Sequence, residues 1–380
     1  MNTPWRIGLL FSHSGATALP EREHEFGVRL AVDEINRAGG ILGRVIEVVA
    51  HDPAGDPAVF RQQAEILMTV EGISVIFGCH TSDTRKLVAR SVERRNGLLW
   101  YPASYEGFEY SPNILYGGSV ANQCIFPLSD YLLAEYGGRS YFVGCDYIFP
   151  RETNRVMRDL VDARGGEILG ECYLPMLPSR AEIEKVLIDI RKLQPDFVFS
   201  TLVGEAAQVF ARMYFEAGLG LDGHRPIGGA SITECELARL GPAAAKGIVT
   251  ASAYFSSLDT DMNRRFLNTL RKFYGEERPT SGWASASYAQ MHMFSRALEI
   301  AQSEDADHLL RALHGMRFDA PDGPILLDPD NNHVWLTPRV GVANVRGGFD
   351  VVWSAPDLVR PDPYLANSPI SPMPMGRRVV

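Results

Sequence analysis

The sequence predicts an α/β protein made of two doubly wound, Rossmann-like lobes with parallel sheets joined by a hinge. Three observations carry that expectation. The run Ile73-Ser74-Val75-Ile76-Phe77 is short, apolar and rich in β-branched residues, and Gly78 stops it, which is the pattern of a strand buried on both faces. Leu87, Val88 and Val92 then recur at helical spacing among Arg85, Lys86, Arg90, Glu93 and Arg94, so the strand turns directly into an amphipathic helix. The same alternation restarts near Asn122, and a chain of 380 residues exceeds one typical core and suits two.

Taken in order, strand Trp5 to Phe11 leads through Ser12-His13-Ser14-Gly15-Ala16-Thr17 into a helix from Glu21 to Ala38 that Gly39-Gly40 stops. Val45 to Ala50 is the second strand and Phe60 to Val70 the second helix. Between them, His51, Asp52 and Asp56 stand among a glycine and two prolines, which favours a turn over a metal site. The strand at 73 to 77, its helix and the strand Gly97 to Tyr101 complete the first lobe by about residue 119.

In the second lobe, helices over Asn122 to Glu135, Glu152 to Ala163, Ala181 to Leu193, Glu205 to Ala217 and Thr233 to Leu240 alternate with strands. Those strands are Ser140 to Val143, Glu167 to Tyr173, Asp196 to Thr201, Pro226 to Gly229 and Gly247 to Ala253. Two long helices, Asp259 to Tyr274 and Gly282 to Gln302, have no partner strands nearby and are expected to cover the first lobe. From Gly323 to Trp353 the period changes to that of antiparallel strands with Asn331-Asn332 and Gly347-Gly348 turns. The expected lobes are residues 1–119 with 254–320 and 120–253 with 321–355, followed by a C-terminal strap over 356–380 that holds six prolines.

Composition narrows the function. Hydrophobic content of 46% with 22% charged residues is that of a soluble globular chain. A balance of 37 Lys and Arg against 46 Asp and Glu, with no basic stripe, argues against direct nucleic-acid binding. No Gly-x-x-x-x-Gly-Lys loop is present, and no cofactor is implied. Cysteines 79, 124, 145, 172 and 235 are odd in number and form no Cys-x-x-Cys, as expected of reduced thiols. Met1 to Pro4 runs straight into a strand without a secretion signal, and no stretch reaches the roughly 20 apolar residues of a membrane span. These features predict a cytoplasmic protein without membrane contact.

Thr81, Ser82 or Asp83 is placed to cap the helix after Gly78. The neighbouring strand runs into Pro102-Ala103-Ser104-Tyr105-Glu106-Gly107-Phe108, so two polar loops share the edge at which open α/β sheets bind ligands. Two such lobes predict a small-molecule site in a cleft between them. Catalysis by Cys79 with His80 or His13 is disfavoured, because adjacent residues on an extended segment point to opposite faces and cysteine is usually buried.

These residues also carry a resemblance. Gly78-Cys79, Ser82 with Thr84-Arg85-Lys86, the aromatic run Tyr105-Glu106-Gly107-Phe108-Glu109-Tyr110-Ser111-Pro112-Asn113, Asp146-Tyr147-Ile148 with Pro150-Arg151-Glu152, Tyr254-Phe255-Ser256-Ser257 and Arg360-Pro361-Asp362-Pro363-Tyr364 resemble a type I periplasmic-binding-protein fold. More closely, they resemble the amide-binding regulators of aliphatic amidase operons (AmiC-like). The resemblance implies a sensor of a small amide that holds an ANTAR-type antitermination regulator until inducer arrives. It maps the ligand pocket onto Ser82, Tyr101 and Tyr147, with departures at His80, Ala103-Ser104, Phe149, Glu205 and Glu234. Ser104, Phe149 and Thr233 complete the candidate set.

Glu205 and Glu234 follow second-lobe strands. They point to an amide, urea-like or amino-bearing ligand with a cationic or strongly donating group, unless they serve only the helix N-termini. The competing expectation is a substrate-binding component of an ABC transporter for amides, urea or amino acids. A homo-oligomer is compatible with either.

Overall fold

The computed structural model describes residues 3–220, 224–275, 278–368 and 377–378. The chain divides into two compact units, Met1–Ser119 with Asp259–Leu336 and Val120–Leu258 with Thr337–Val380.

Unit 1 begins with β1 (Trp5–Leu10), α1 (Ala18–Arg37), β2 (Ile46–His51), α2 (Pro57–Thr69), β3 (Val75–Gly78), α3 (Ser82–Arg94), β4 (Leu98–Tyr101) and β5 (Ile114–Tyr116). All five strands pair in parallel in the order β2-β1-β3-β4-β5. Strands β1, β3, β4 and β5 are almost wholly buried, which explains their unbroken apolar runs.

Unit 2 follows with α4 (Ala121–Glu135), β6 (Arg139–Cys145), α5 (Ile148–Ala163), β7 (Glu167–Leu174), α6 (Arg180–Leu193), β8 (Phe197–Thr201), α7 (Gly204–Glu216), β9 (Ile227–Gly229), α8 (Glu234–Leu240), α9 (Pro242–Ala245) and β10 (Val249–Ser252). The chain then supplies unit 1 with α10 (Asp261–Tyr274), α11 (Gly282–Ala301), α12 (Ala306–Leu313) and the short strands β11 (Arg317–Ala320), β12 (Gly323–Leu327) and β13 (Val334–Trp335). It ends in unit 2 with β14 (Arg339–Ala343), β15 (Phe349–Ser354) and β16 (Arg377–Arg378). The unit 2 sheet runs β16-β15-β14-β10-β9-β8-β6-β7, parallel from β7 to β10 and antiparallel beyond.

The expected boundary between residues 320 and 321 moves to Leu336. Tyr116 of β5 draws the last short strand into unit 1: its N–H donates to the Asn332 carbonyl at 2.9 Å, and its ring stacks on His333 with centroids 4.1 Å apart. Residues 254–258 cluster instead with unit 2, where Phe255 packs edge-on against Phe349 at 5.3 Å. Of the expected strap, Arg360 and Val359 lend their carbonyls to the Asn122 and Gln123 amides of α4. Residues 369–376 and 379–380 of that strap lie outside the described residues. No helix among the described residues is long and apolar enough to cross a membrane.

Candidate functional site

In a parallel sheet every strand carboxyl end lies on one edge, and a crevice forms where the chain winds away in opposite directions from two adjacent strands. The order β2-β1-β3-β4-β5 places that switch point of unit 1 between β1 and β3. The order β7-β6-β8-β9-β10 repeats the same winding in unit 2 and places its switch point between β6 and β8.

In unit 1 the switch point is bounded by the loop 11–17 after β1 and by Cys79, His80 and Thr81 leading into α3. Glu21, buried in the first turn of α1, ties the first loop down by accepting from the Ser12 N–H and the Thr17 hydroxyl, both at 2.6 Å. Burial lifts this carboxyl to about 7 despite those hydrogen bonds. Cys79 takes a left-handed backbone conformation with φ 70°. That kink reverses the chain and brings His80 against His24 of α1, with ring nitrogens 3.3 Å apart, and edge-on to Trp283 of α11, with centroids 5.2 Å apart. At the start of α3 the Thr84 N–H donates to the Asp83 carboxylate at 2.9 Å, and the N–H groups of Ser82 and Asp83 are left without intrahelical partners, as at any helix start.

Beneath α3 a buried charge network holds this corner. The fully buried Arg85 guanidinium bonds Glu106 at 3.3 Å, Glu109 at 2.9 Å and the Ser82 hydroxyl oxygen at 3.2 Å, and it lies 4.3 Å from the Tyr105 ring centroid. Burial alone would raise the Glu109 carboxyl, but the hydrogen bonds and charges of Arg85 and Lys86 hold it down to about 2. Ser82 donates to Glu106 at 2.5 Å, and Tyr101 donates to the His80 carbonyl at 2.6 Å. Both hydroxyl protons are therefore committed inside the protein. Tyr101 is fully buried and acts on the crevice only by positioning the His80 backbone. Ser104 shares a 2.8 Å hydrogen bond with Ser119.

In unit 2, Tyr147 caps the start of α5 with its ring 6.2 Å from that of Phe149, and both half-buried rings lean on the unit's core. Glu205 is exposed in the first turn of α7, across the same switch point. Thr233 and Glu234 follow β9, one strand farther along. Thr233 donates to Glu236 at 2.5 Å in a capping box. Glu234 is buried and accepts from the Ser256 N–H at 2.6 Å.

Burial raises the Glu234 carboxyl from 4.5 to about 7, so protonation rather than a cationic partner relieves its charge. The folded state thus holds this proton more tightly than the unfolded chain does. The resulting stabilisation is complete below about pH 4.5 and is lost as pH rises through about 7. Glu234→Gln is expected to remove part of the fall in melting temperature across that window. A constant offset between wild type and variant over the same range would show that Glu234 does not titrate there.

Cys79 is fully buried and burial raises its thiol far above the ordinary range, so no thiolate is available at neutral pH. Asp52 and Asp56 accept backbone N–H bonds from Ala54 and Ala58, as turn and cap residues do. Sequence reasoning placed His80 and Ser82 at the unit 1 crevice but missed Ser12, Glu21, His24 and Trp283. The polar run Ser12-His13-Ser14 directly after the first strand was the one local signal.

The family model for the periplasmic binding protein domain matches residues 5–369. The Leu/Ile/Val-binding protein homolog 6 of Brucella suis biovar 1 (strain 1330) is 23% identical over 335 residues, covering 87% of this chain and 85% of that protein. A shorter match of 129 residues at 32% identity covers 34% of this chain but only 24% of limonene hydroxylase from Geobacillus stearothermophilus, so this chain spans about a quarter of that protein. An R. palustris ABC-transporter solute-binding protein solved with 4-hydroxybenzoate superposes with a TM-score of 0.85 at 19% identity, over 94% of this chain and 98% of that one.

These matches overturn the cytoplasmic location expected from the amino terminus, because periplasmic binding proteins of ABC transporters typically reside in the periplasm. The relatives matched along the chain's length bind solutes and are not enzymes. Matched over nearly its whole length, the chain belongs to the periplasmic binding protein domain family.

Proposed function

We propose that this protein is the substrate-binding component of an ABC-type transporter and that its solute is a small carboxylate, such as an amino acid or an aromatic acid. The observation that carries this reading is the start of α3 at the unit 1 switch point, fixed from below by Arg85, Glu106 and Tyr101. Backbone N–H groups at a helix N-terminus favour an anion there. Burial brings the neighbouring His80 down to about 4, so it is neutral and does not duplicate that charge. Both full-length comparisons agree in chemistry, since leucine, isoleucine, valine and 4-hydroxybenzoate all bear a carboxylate. An amidase-type regulator with an ANTAR-type partner finds no support among the relatives.

Thermal-shift screening of the full chain against amino acids, benzoates, acetamide and urea tests this reading. A solute at 100 times its dissociation constant stabilises by about 2.7 kcal/mol. Carboxylates are expected to raise the melting temperature and neutral amides to leave it unchanged. Stabilisation by amides alone would contradict the reading.

A further inference from the structure

A relay of hydrogen bonds inside unit 1 fixes the polarity of one atom at the crevice. His24 Nδ1 lies 3.0 Å from the Trp283 carbonyl oxygen. A carbonyl only accepts, so this nitrogen carries the proton, which Ser287 Oγ at 2.9 Å shares as a second acceptor. Burial, with the nearby His80, holds His24 well below its ordinary pKa, so the ring is neutral and its Nε2 presents a lone pair. That lone pair faces His80 Nδ1 at 3.3 Å. Two ring nitrogens bond only when one donates, so His80 Nδ1 carries the second proton. His80 is also neutral, and its Nε2 is left as a bare acceptor.

This acceptor has no partner among the described residues, although its side chain is more than nine-tenths buried, with only 8% of the residue exposed. It is also not one of the unpaired polar atoms sealed from solvent. His80 directly precedes Thr81, the N-cap of α3, so this acceptor belongs to the switch point. Trp283 packs edge-on against the ring at 5.2 Å and the Tyr101 hydroxyl holds the backbone carbonyl, so neither ring nor loop turns aside easily.

We propose that His80 Nε2 is the specificity-determining acceptor of unit 1 and that the solute donates a hydroxyl or N–H to it. The preferred class is then a hydroxy- or amino-substituted carboxylate rather than a bare acid. A carboxylate oxygen turned toward this lone pair is repelled, so the same atom selects against the wrong orientation. The inference rests on solute capture at the unit 1 switch point.

Two measurements on the full chain test it. The first is the His80 tautomer in histidine-labelled protein, read by long-range proton and nitrogen correlation at neutral pH, with His80→Phe identifying its signals. The expected result is a proton on Nδ1 alone; a proton on Nε2 overturns the proposal while leaving solute capture intact. The second is calorimetric titration of wild-type protein with two matched pairs, 4-hydroxybenzoate with benzoate and leucine with 4-methylpentanoate, which needs no variant. The donor-bearing member of a binding pair should bind roughly three- to tenfold more tightly, the range of one net hydrogen bond. Equal affinities within a binding pair overturn the proposal alone. Failure of all four to bind sinks the carboxylate reading and this inference together.

Discussion

Replacing Arg85 by Ala is expected to lower the unfolding free energy by about 3–5 kcal/mol, the cost of leaving a buried charge without its partner. The Arg85 side chain has no exposed surface and that of Glu106 has 2%. Without the guanidinium, Glu106 keeps only the Ser82 hydroxyl, and Glu109 keeps the Tyr116 hydroxyl at 3.2 Å and Lys86, which is itself 39% exposed and screened by water. The effect has a pH signature. Glu109 is held down to about 2 from 4.5, so its stabilisation is present above about pH 4.5 and is lost as pH falls toward 2. The Arg85→Ala variant should lose the part of that acid dependence that Arg85 supplies, while Lys86 keeps the remainder. Urea melts showing a loss under about 1 kcal/mol would mean that water or a rearranged Lys86 replaces the guanidinium.

Gly27→Ala should also be severe, at or above the upper end of the roughly 1–3 kcal/mol typical of overpacking. A Cβ built on Gly27 of α1 would lie 2.1 Å from the Ala284 carbonyl oxygen of α11, and helix backbone cannot yield as a side chain can. The gain of up to about 1 kcal/mol in helix propensity does not offset such a clash. The two helices must move apart. His24 lies one turn before Gly27 and Trp283 next to Ala284, so the 3.0 Å contact that sets the His24 tautomer should break as well. The variant should therefore lose stability and blur the His80 tautomer together. A stable Gly27→Ala protein with an unchanged His80 signal would show that α1 and α11 are not locked at this point.

Much of the fold was legible because buried parallel strands and amphipathic helices leave different periods in the sequence. Strands β1, β3, β4 and β8 lie where apolar runs predict them. Helix α5 begins at Ile148 rather than at the expected Glu152, because Pro150 falls within its first turn, where no intrahelical N–H is needed. The sequence reading assigns no element to the three residues of β5, and it is this strand that recruits residues 332 and 333 to unit 1.

The site was legible only where it was local. His80 and Ser82 sit beside the glycine that ends their strand. His24 and Trp283 come from positions 259 residues apart, and only packing of α1 on α11 joins them. Glu205 and Glu234 look alike in sequence, each opening a helix after a strand, yet one is exposed and the other buried. Glu234 meets the Ser256 N–H from a segment 22 residues farther along the chain, a contact that no local pattern encodes. Tyr101 and Ser82 carry the expected hydroxyls, but their protons are already taken by neighbours that composition could not reveal.

Reversible capture of a carboxylate solute without chemistry is tested most directly by calorimetric titration of the full chain with the best carboxylate from the thermal-shift screen, followed by release and recovery of the solute. One site per chain and quantitative return of unchanged solute are the expected result. Saturable binding of a neutral amide with no response to any carboxylate, or recovery of a converted product, would contradict it.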